Sequence, residues 1–208
     1  MENLLSTSWR RMWAGLGATG DGAAAYEELL ARYSEPWRKY HTLQHLRECI
    51  ATFKSAAHLA AHPAEVEAGL WFHDAVYELQ RSDNEEQSAH LAQGRLSGVG
   101  VPSEVRARVA ALVLATKHTA SPQDPDEQLL VDVDLSILGA AEPRFAEYER
   151  QIREEYSFVP EAMFREKRRA ILQSFIARPR IYSTPHFFGL LEQQARVNLT
   201  RTVGENAA

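Results

Sequence analysis

The stretch Leu129-Leu130-Val131-Asp132-Val133-Asp134-Leu135-Ser136-Ile137-Leu138-Gly139 decides how the chain is read. Its middle alternates apolar and acidic like a strand, while its ends fit a helix closed by Gly139. No second run offers a strand to pair with it, so the helical reading is taken. Elsewhere apolar residues recur at helical spacing, and Pro and Gly fall where helices begin and end. The expected fold class is all-α. Helices are expected from the segment holding Trp9 and Trp13 to the break at Gly15–Gly22, over about 23–33, from about Thr42 to Ala61, and from Pro63 through Val66, Leu70, His73 and Tyr77. Others open at Asp83-Asn84-Glu85-Glu86, run from Pro102 to about Lys117, and cover about 145–156, 160–177 and 185–199. The run Val109–Ala115, apolar on nearly every side, marks its helix as central, and Ser121–Asp126 reads as a loop.

Composition narrows the function classes. A chain of 208 residues suits one domain, or one domain with an appended subdomain, and can bury roughly 70% of the surface its unfolded form exposes. With 45% hydrophobic and 25% charged residues it reads as an ordinary globular protein. A net charge of −5 without a basic tail lacks the footprint of a duplex-binding protein, so no nucleic-acid partner is expected. The single cysteine, Cys49, can form neither an internal disulfide nor a thiolate zinc site. It points to a reducing compartment and leaves histidine and carboxylate as the plausible metal ligands. Met1-Glu2-Asn3, with Arg10 and Arg11 inside the first apolar stretch, lacks the order of a secretory signal, and Val109–Ala115 is too short to span a bilayer. A soluble, cytoplasmic chain with no membrane partner is expected.

Within an all-helical chain, buried polar groups are the anomalies, because an ionised carboxylate on an apolar face costs several kcal/mol unless paired. On a helical wheel Asp134 shares a face with Leu130, Val133, Ile137 and Leu138, while Asp132 points away, so Asp134 is expected to be the buried one. The alternative is a buried salt bridge to an arginine. His73-Asp74 lies between the apolar flanks Leu70-Trp71-Phe72 and Ala75-Val76-Tyr77. That setting suits a dry metal pocket, or a core histidine whose tautomer the aspartate holds. His41 and His45, four apart, would share one side of a helix, or bond locally to backbone. His118 ends the helix expected at 102–117, whereas His58, His62, His90 and His186 read as surface residues.

A histidine, a His-Asp pair 28 residues later and an aspartate 60 residues beyond that pair's Asp is an order that resembles the HD superfamily of metal-dependent phosphohydrolases. The blocks Tyr40-His41-Thr42-Leu43-Gln44-His45-Leu46, Trp71-Phe72-His73-Asp74-Ala75-Val76-Tyr77, Asp83-Asn84-Glu85-Glu86-Gln87-Ser88-Ala89 and Asp132 to Gly139 are similar to those of a bacterial group of predicted HD phosphohydrolases. The likeness extends to Ile152-Arg153-Glu154-Glu155-Tyr156 and Ala195-Arg196-Val197-Asn198-Leu199, and so covers most of the chain.

The resemblance implies one HD-type helical domain with a core at about 36–140, flanking helices at 1–35 and 141–208, and metal ligands His45, His73, Asp74 and Asp134. Asn84 stands where two-metal members carry a first extra histidine, and His118 fits the second such place. This favours one metal, with His118, Asn84 and Glu85 as further candidates. Two imidazoles and two carboxylates suit Mn²⁺, Fe²⁺, Co²⁺, Ni²⁺, Zn²⁺ or Mg²⁺ without choosing among them. The implied reaction is hydrolysis of a small, nucleotide-like phosphate ester by metal-bound water, with Asp74 orienting that water and His41, Lys117 and Arg153 as phosphate-neutralising candidates. For Lys117 and Arg153 a solvated helix-face charge is the plainer reading. The alternative function is an HD-like module that binds a nucleotide or partner without turning it over.

Overall fold

A computed structural model describes residues 4–120 and 122–205, with only the backbone of Glu205. Ser121 of the expected loop and the Met1-Glu2-Asn3 start lie outside these residues. Among the described residues there are ten α-helices, two 3-10 turns and no strand, so the all-α reading holds. The chain divides after Asp134 into two compact units.

The first unit holds α1 (Leu4–Gly15), α2 (Ala23–Arg32), α3 (Leu43–Ala56), α4 (Pro63–Phe72), α5 (Asn84–Ser97), α6 (Ser103–Ala115) and α7 (Pro125–Asp134). Of these, α4 is the most enclosed, with every residue from Glu65 to Phe72 buried. The helix expected to be central, α6, instead exposes Ala111 and Leu114. Glu65 and Glu67 disguise α4 as a surface helix, but both are paired. Arg108 donates to the two Glu65 oxygens at 2.7 Å, and Ser8 and Arg11 donate to Glu67. Gly69 lets α4 run close to its neighbours: a Cβ there would stand 2.4 Å from Leu130 Cδ1 and 3.1 Å from Leu112 Cβ.

Helix starts follow their local chemistry. Thr42 is extended and its hydroxyl accepts from Gln44 N at 3.2 Å, so α3 begins at Leu43 and His41 stands outside it. The expected i, i+4 helical pairing of His41 with His45 is therefore corrected. α3 also ends early, at Ala56, before a 3-10 turn Ala57–Leu59. Its buried stripe is His45, Leu46, Cys49, Ile50, Phe53 and Ala56, which leaves Leu43 and Ala57 half-buried. At α7 the Asp124 carboxylate accepts from Asp126 N and Glu127 N ahead of Pro125, so Asp126 is helical and not part of a loop. Asp126 in turn accepts from the backbone of Ala61 and His62, which fixes the entry to α4.

The second unit holds a 3-10 turn at Leu135–Gly139, then α8 (Glu142–Glu155), α9 (Glu161–Ile176) and α10 (Pro185–Glu205). Tyr182 donates to Leu135 O at 3.0 Å, and Asn198 donates to Leu138 O and Ala140 O at 2.9 Å each. Thr184 caps α10 by accepting from Phe187 N. No described helix is long and apolar enough to cross a membrane.

Candidate metal centre

Three elements of the first unit bring their polar side chains together. α3 supplies His45, the end of α4 supplies His73 and Asp74, and the last residue of α7 is Asp134. His73 is the C-cap of α4, with its N–H on Gly69 O. The helix stops there because the following peptide groups find other partners, so Tyr77, expected on the same helix, lies beyond it.

His73 Nδ1 lies 2.8 Å from Leu70 O, and since a carbonyl only accepts, Nδ1 carries a proton and leaves Nε2 to face the cluster. His73 Nε2 is 3.0 Å from His45 Nε2, 3.0 Å from Asp74 Oδ2 and 3.5 Å from Asp134 Oδ1. His45 Nε2 is 3.2 Å from Asp134 Oδ1 and 3.5 Å from Asp74 Oδ2. Atoms about 2.1 Å from one cation would lie about 3.0 Å apart at right angles and about 3.4 Å apart in a tetrahedron. The observed separations of 3.0–3.5 Å span those values. Two carboxylate oxygens facing two imidazole nitrogens are stabilised by positive charge among them, which protons or a divalent cation would supply, so the donor set fits a divalent cation.

His45, Cys49, His73 and Asp134 form a buried or half-buried group whose ligand atoms lie within 4.8 Å of one another and could hold a metal ion. Cys49 corrects the expectation that only histidine and carboxylate are placed to ligate. Counting cysteines for disulfides and thiolate clusters overlooks a single thiol one helical turn from a histidine. Its Sγ is 3.7 Å from both His45 ring nitrogens, which puts it beside the ring and not in line with Nε2. Burial pushes this thiol well above its ordinary pKa.

Asp134 turns its second oxygen to His118 Nε2 at 3.2 Å. His118 sits at φ 54°, in the left-handed region that favours glycine. No arginine is among the partners of Asp134 described here, so the salt-bridge alternative gives way to three histidines. The contrast drawn between Asp132 and Asp134 is corrected. Asp132 is 0% exposed, while the Asp134 side chain is 13% exposed. α7 is enclosed on all sides from Leu129 to Val133, so its wheel could not tell a buried face from an open one.

Other expected members are distributed differently. His41 stacks on Tyr77 at 4.0 Å and lies close enough to Asp74 to act on its charge. Asn84 is spent on backbone, accepting from Glu78 N at 3.1 Å and donating to Glu78 O at 3.0 Å. The possible ligand group includes neither Asp74, whose Oδ2 nonetheless lies 3.0 Å from His73 Nε2, nor Glu85, which is half-buried in the first turn of α5. Lys117 pairs with Glu86. Arg153 is a residue of the second unit, where its three guanidinium nitrogens engage Glu161, Tyr156 O and Val159 O. His58, His62, His90 and His186 are exposed, as expected.

No protein-family model, curated protein or solved structure matches this chain.

The electrostatics of that site predict a pH signature. Burial opposes charge on His73, but Asp74, with Tyr33 and Asp134, holds its pKa well above 6.5. Burial would likewise raise both carboxyls, yet His73 and His41 keep Asp74 low, and His118, His45 and His73 keep Asp134 low. A raised histidine contributes stability below its unfolded value of about 6.5 and loses it as pH rises through the folded value. The lowered carboxyls contribute above about 3.9 and lose it as pH falls. The unfolding midpoint of metal-free protein is therefore expected to decline on the alkaline side of neutrality, and a bound divalent cation should flatten that decline. A metal-free midpoint that stays level from pH 7 to 10 would contradict this account.

Proposed function

We propose that this chain is a metal-dependent phosphohydrolase of the HD type, acting on a small phosphate ester and, by its sequence resemblance, on a nucleotide-like one. The observation that carries the proposal is the convergence of His45 Nε2, His73 Nε2, Asp74 Oδ2 and Asp134 Oδ1 within 3.0–3.5 Å of each other across five of their pairings. These four residues would hold the cation. When bound, it would supply an acidified water and a Lewis-acid contact for a phosphoryl oxygen.

The chain's own residues have distinct parts in this reading. Leu70 O fixes the His73 tautomer, so that Nε2 presents a lone pair. His118 orients Asp134 through its outer oxygen. Asp74 and Asp134, 16% and 13% exposed, are the open side of an otherwise closed cluster, and a substrate would approach there. Asp74 Oδ1, the oxygen other than the one facing His45 and His73, would orient an attacking water. His41, beside Asp74, is a candidate to meet the phosphate.

A second reading, a module that binds without turnover, draws support from Lys117, whose ammonium is paired with Glu86. A solvent-accessible ion pair of this kind is weak, so an incoming phosphate would displace the glutamate. The deciding experiment is elemental analysis of purified protein followed by a phosphate-release screen with the metal found. Metal plus turnover of phosphomonoesters or nucleotides is expected. Metal with no turnover on a broad panel would favour the binding module, and absence of metal would defeat the phosphohydrolase reading.

A further inference from the structure

Asp74 occupies the first residue after the cap of α4, where helix geometry no longer fixes it. Its position is set instead by two buried side chains from the segment that follows α2. The Asp74 N–H donates to Tyr33 Oη at 3.3 Å, and the Asp74 carbonyl accepts from Arg38 Nη1 at 2.6 Å. Both halves of the residue's backbone are thus held from outside its own helix. Tyr33 Oη also donates to Trp71 O at 3.3 Å, and Arg38 Nη2 donates to Ala75 O at 3.2 Å, so the grip extends to both sides of Asp74.

Neither group is there for solvent. The Arg38 side chain is 0% exposed, lies 5.3 Å from the Tyr33 ring centroid and 5.5 Å from that of Tyr77, and pairs through Nε with Glu35 at 2.9 Å. A buried guanidinium is costly unless its donors are used. Here Nε is spent on a carboxylate and both terminal nitrogens on carbonyls, two of them belonging to the turn that carries Asp74. Burial keeps the Tyr33 hydroxyl protonated, as its role as donor to Trp71 O requires.

We infer that Arg38 and Tyr33 are positioning residues that hold the Asp74 carboxylate in place to ligate. The inference rests on the reading of Asp74 as a ligand. Groups that orient ligands from behind typically account for about 10–100-fold in metal affinity. A planar fork that meets two carbonyls cannot be copied by an ammonium, so Arg38→Lys keeps the charge and loses the geometry. Tyr33→Phe keeps the ring over Arg38 and removes only the hydroxyl that meets Asp74 N and Trp71 O.

The test titrates Zn²⁺ into wild type, Arg38→Lys and Tyr33→Phe proteins against a chromophoric chelator, and follows amide hydrogen exchange without metal. Arg38→Lys is expected to lose about 10–100-fold in Zn²⁺ affinity, and Tyr33→Phe to lose affinity in the same direction by less. Exchange at Asp74 N should quicken in Tyr33→Phe, while amides in α1 and α6 keep their wild-type rates. Should Arg38→Lys fail to fold, Tyr33→Phe carries the decision. Wild-type affinity in folded variants, or unchanged exchange at Asp74, overturns the inference. A wild-type protein that binds no Zn²⁺ or other divalent ion instead overturns the metal reading, and the exchange arm still decides whether the clamp exists.

Discussion

His73→Ala and Asp134→Ala proteins will lose divalent metal under conditions where the wild type holds it, with affinity down by more than the roughly 100-fold that loss of a supporting group can cause. His73 Nε2 lies 3.0 Å from both His45 Nε2 and Asp74 Oδ2, and Asp134 Oδ1 lies 3.2 Å from His45 Nε2. Removing either leaves three donors and an open flank to water. Elemental analysis after dialysis, with circular dichroism to confirm helicity, reads the result. Asp74→Ala and Cys49→Ser divide two overlapping ligand sets. Loss on Asp74→Ala with retention on Cys49→Ser assigns the carboxylate, as the sideways placement of Sγ against the His45 ring leads us to expect. The reverse pattern would put the thiol on the metal. A fully metallated Asp134→Ala protein would sink the ligand assignment altogether.

Much of this site was legible in the sequence because a ligand in an all-helical chain must interrupt an apolar pattern to reach the interior. His73 and Asp74 interrupt one, and His45 sits on the shoulder of another; all three lie in the cluster. His118 was legible as a polar residue at a helix end, and its left-handed backbone places its ring on Asp134.

What was not legible depended on neighbours distant in sequence. Arg38 reads as one charge among 23 basic residues, and only the fold brings its guanidinium to the carbonyls of Asp74 and Ala75. Asn84 and Lys117 have residue types suited to a metal or a phosphate, but the fold gives their polar atoms to Glu78 and Glu86. The start of α3 turned on Thr42, whose hydroxyl caps the helix and leaves His41 outside it, stacked on Tyr77. Periodicity alone carries no information on which of several polar residues will cap.

The two aspartates of α7 should part company on different measurements. Asp132→Ala is expected to keep its metal and lose stability, whereas Asp134→Ala loses metal. Asp132 is 0% exposed in a helix enclosed from Leu129 to Val133, so its carboxyl is a buried polar group whose partners would be left unsatisfied. Such a loss costs about 1–3 kcal/mol, and each kcal/mol lowers the unfolding midpoint of a chain this size by about 2–4 °C. Asp134 sits one turn-fraction further on, at the end of the helix, with its side chain partly open and both oxygens on histidines. There the carboxylate balances charge that a cation or protons bring to the cluster, so its contribution to stability depends on what occupies the site. Thermal unfolding with and without metal separates the two. Asp132→Ala should lower the midpoint in both states by a similar amount, and Asp134→Ala should chiefly abolish the increment that metal adds. If Asp132→Ala lost the metal increment while Asp134→Ala kept it, the assignment of these two residues would have to be exchanged.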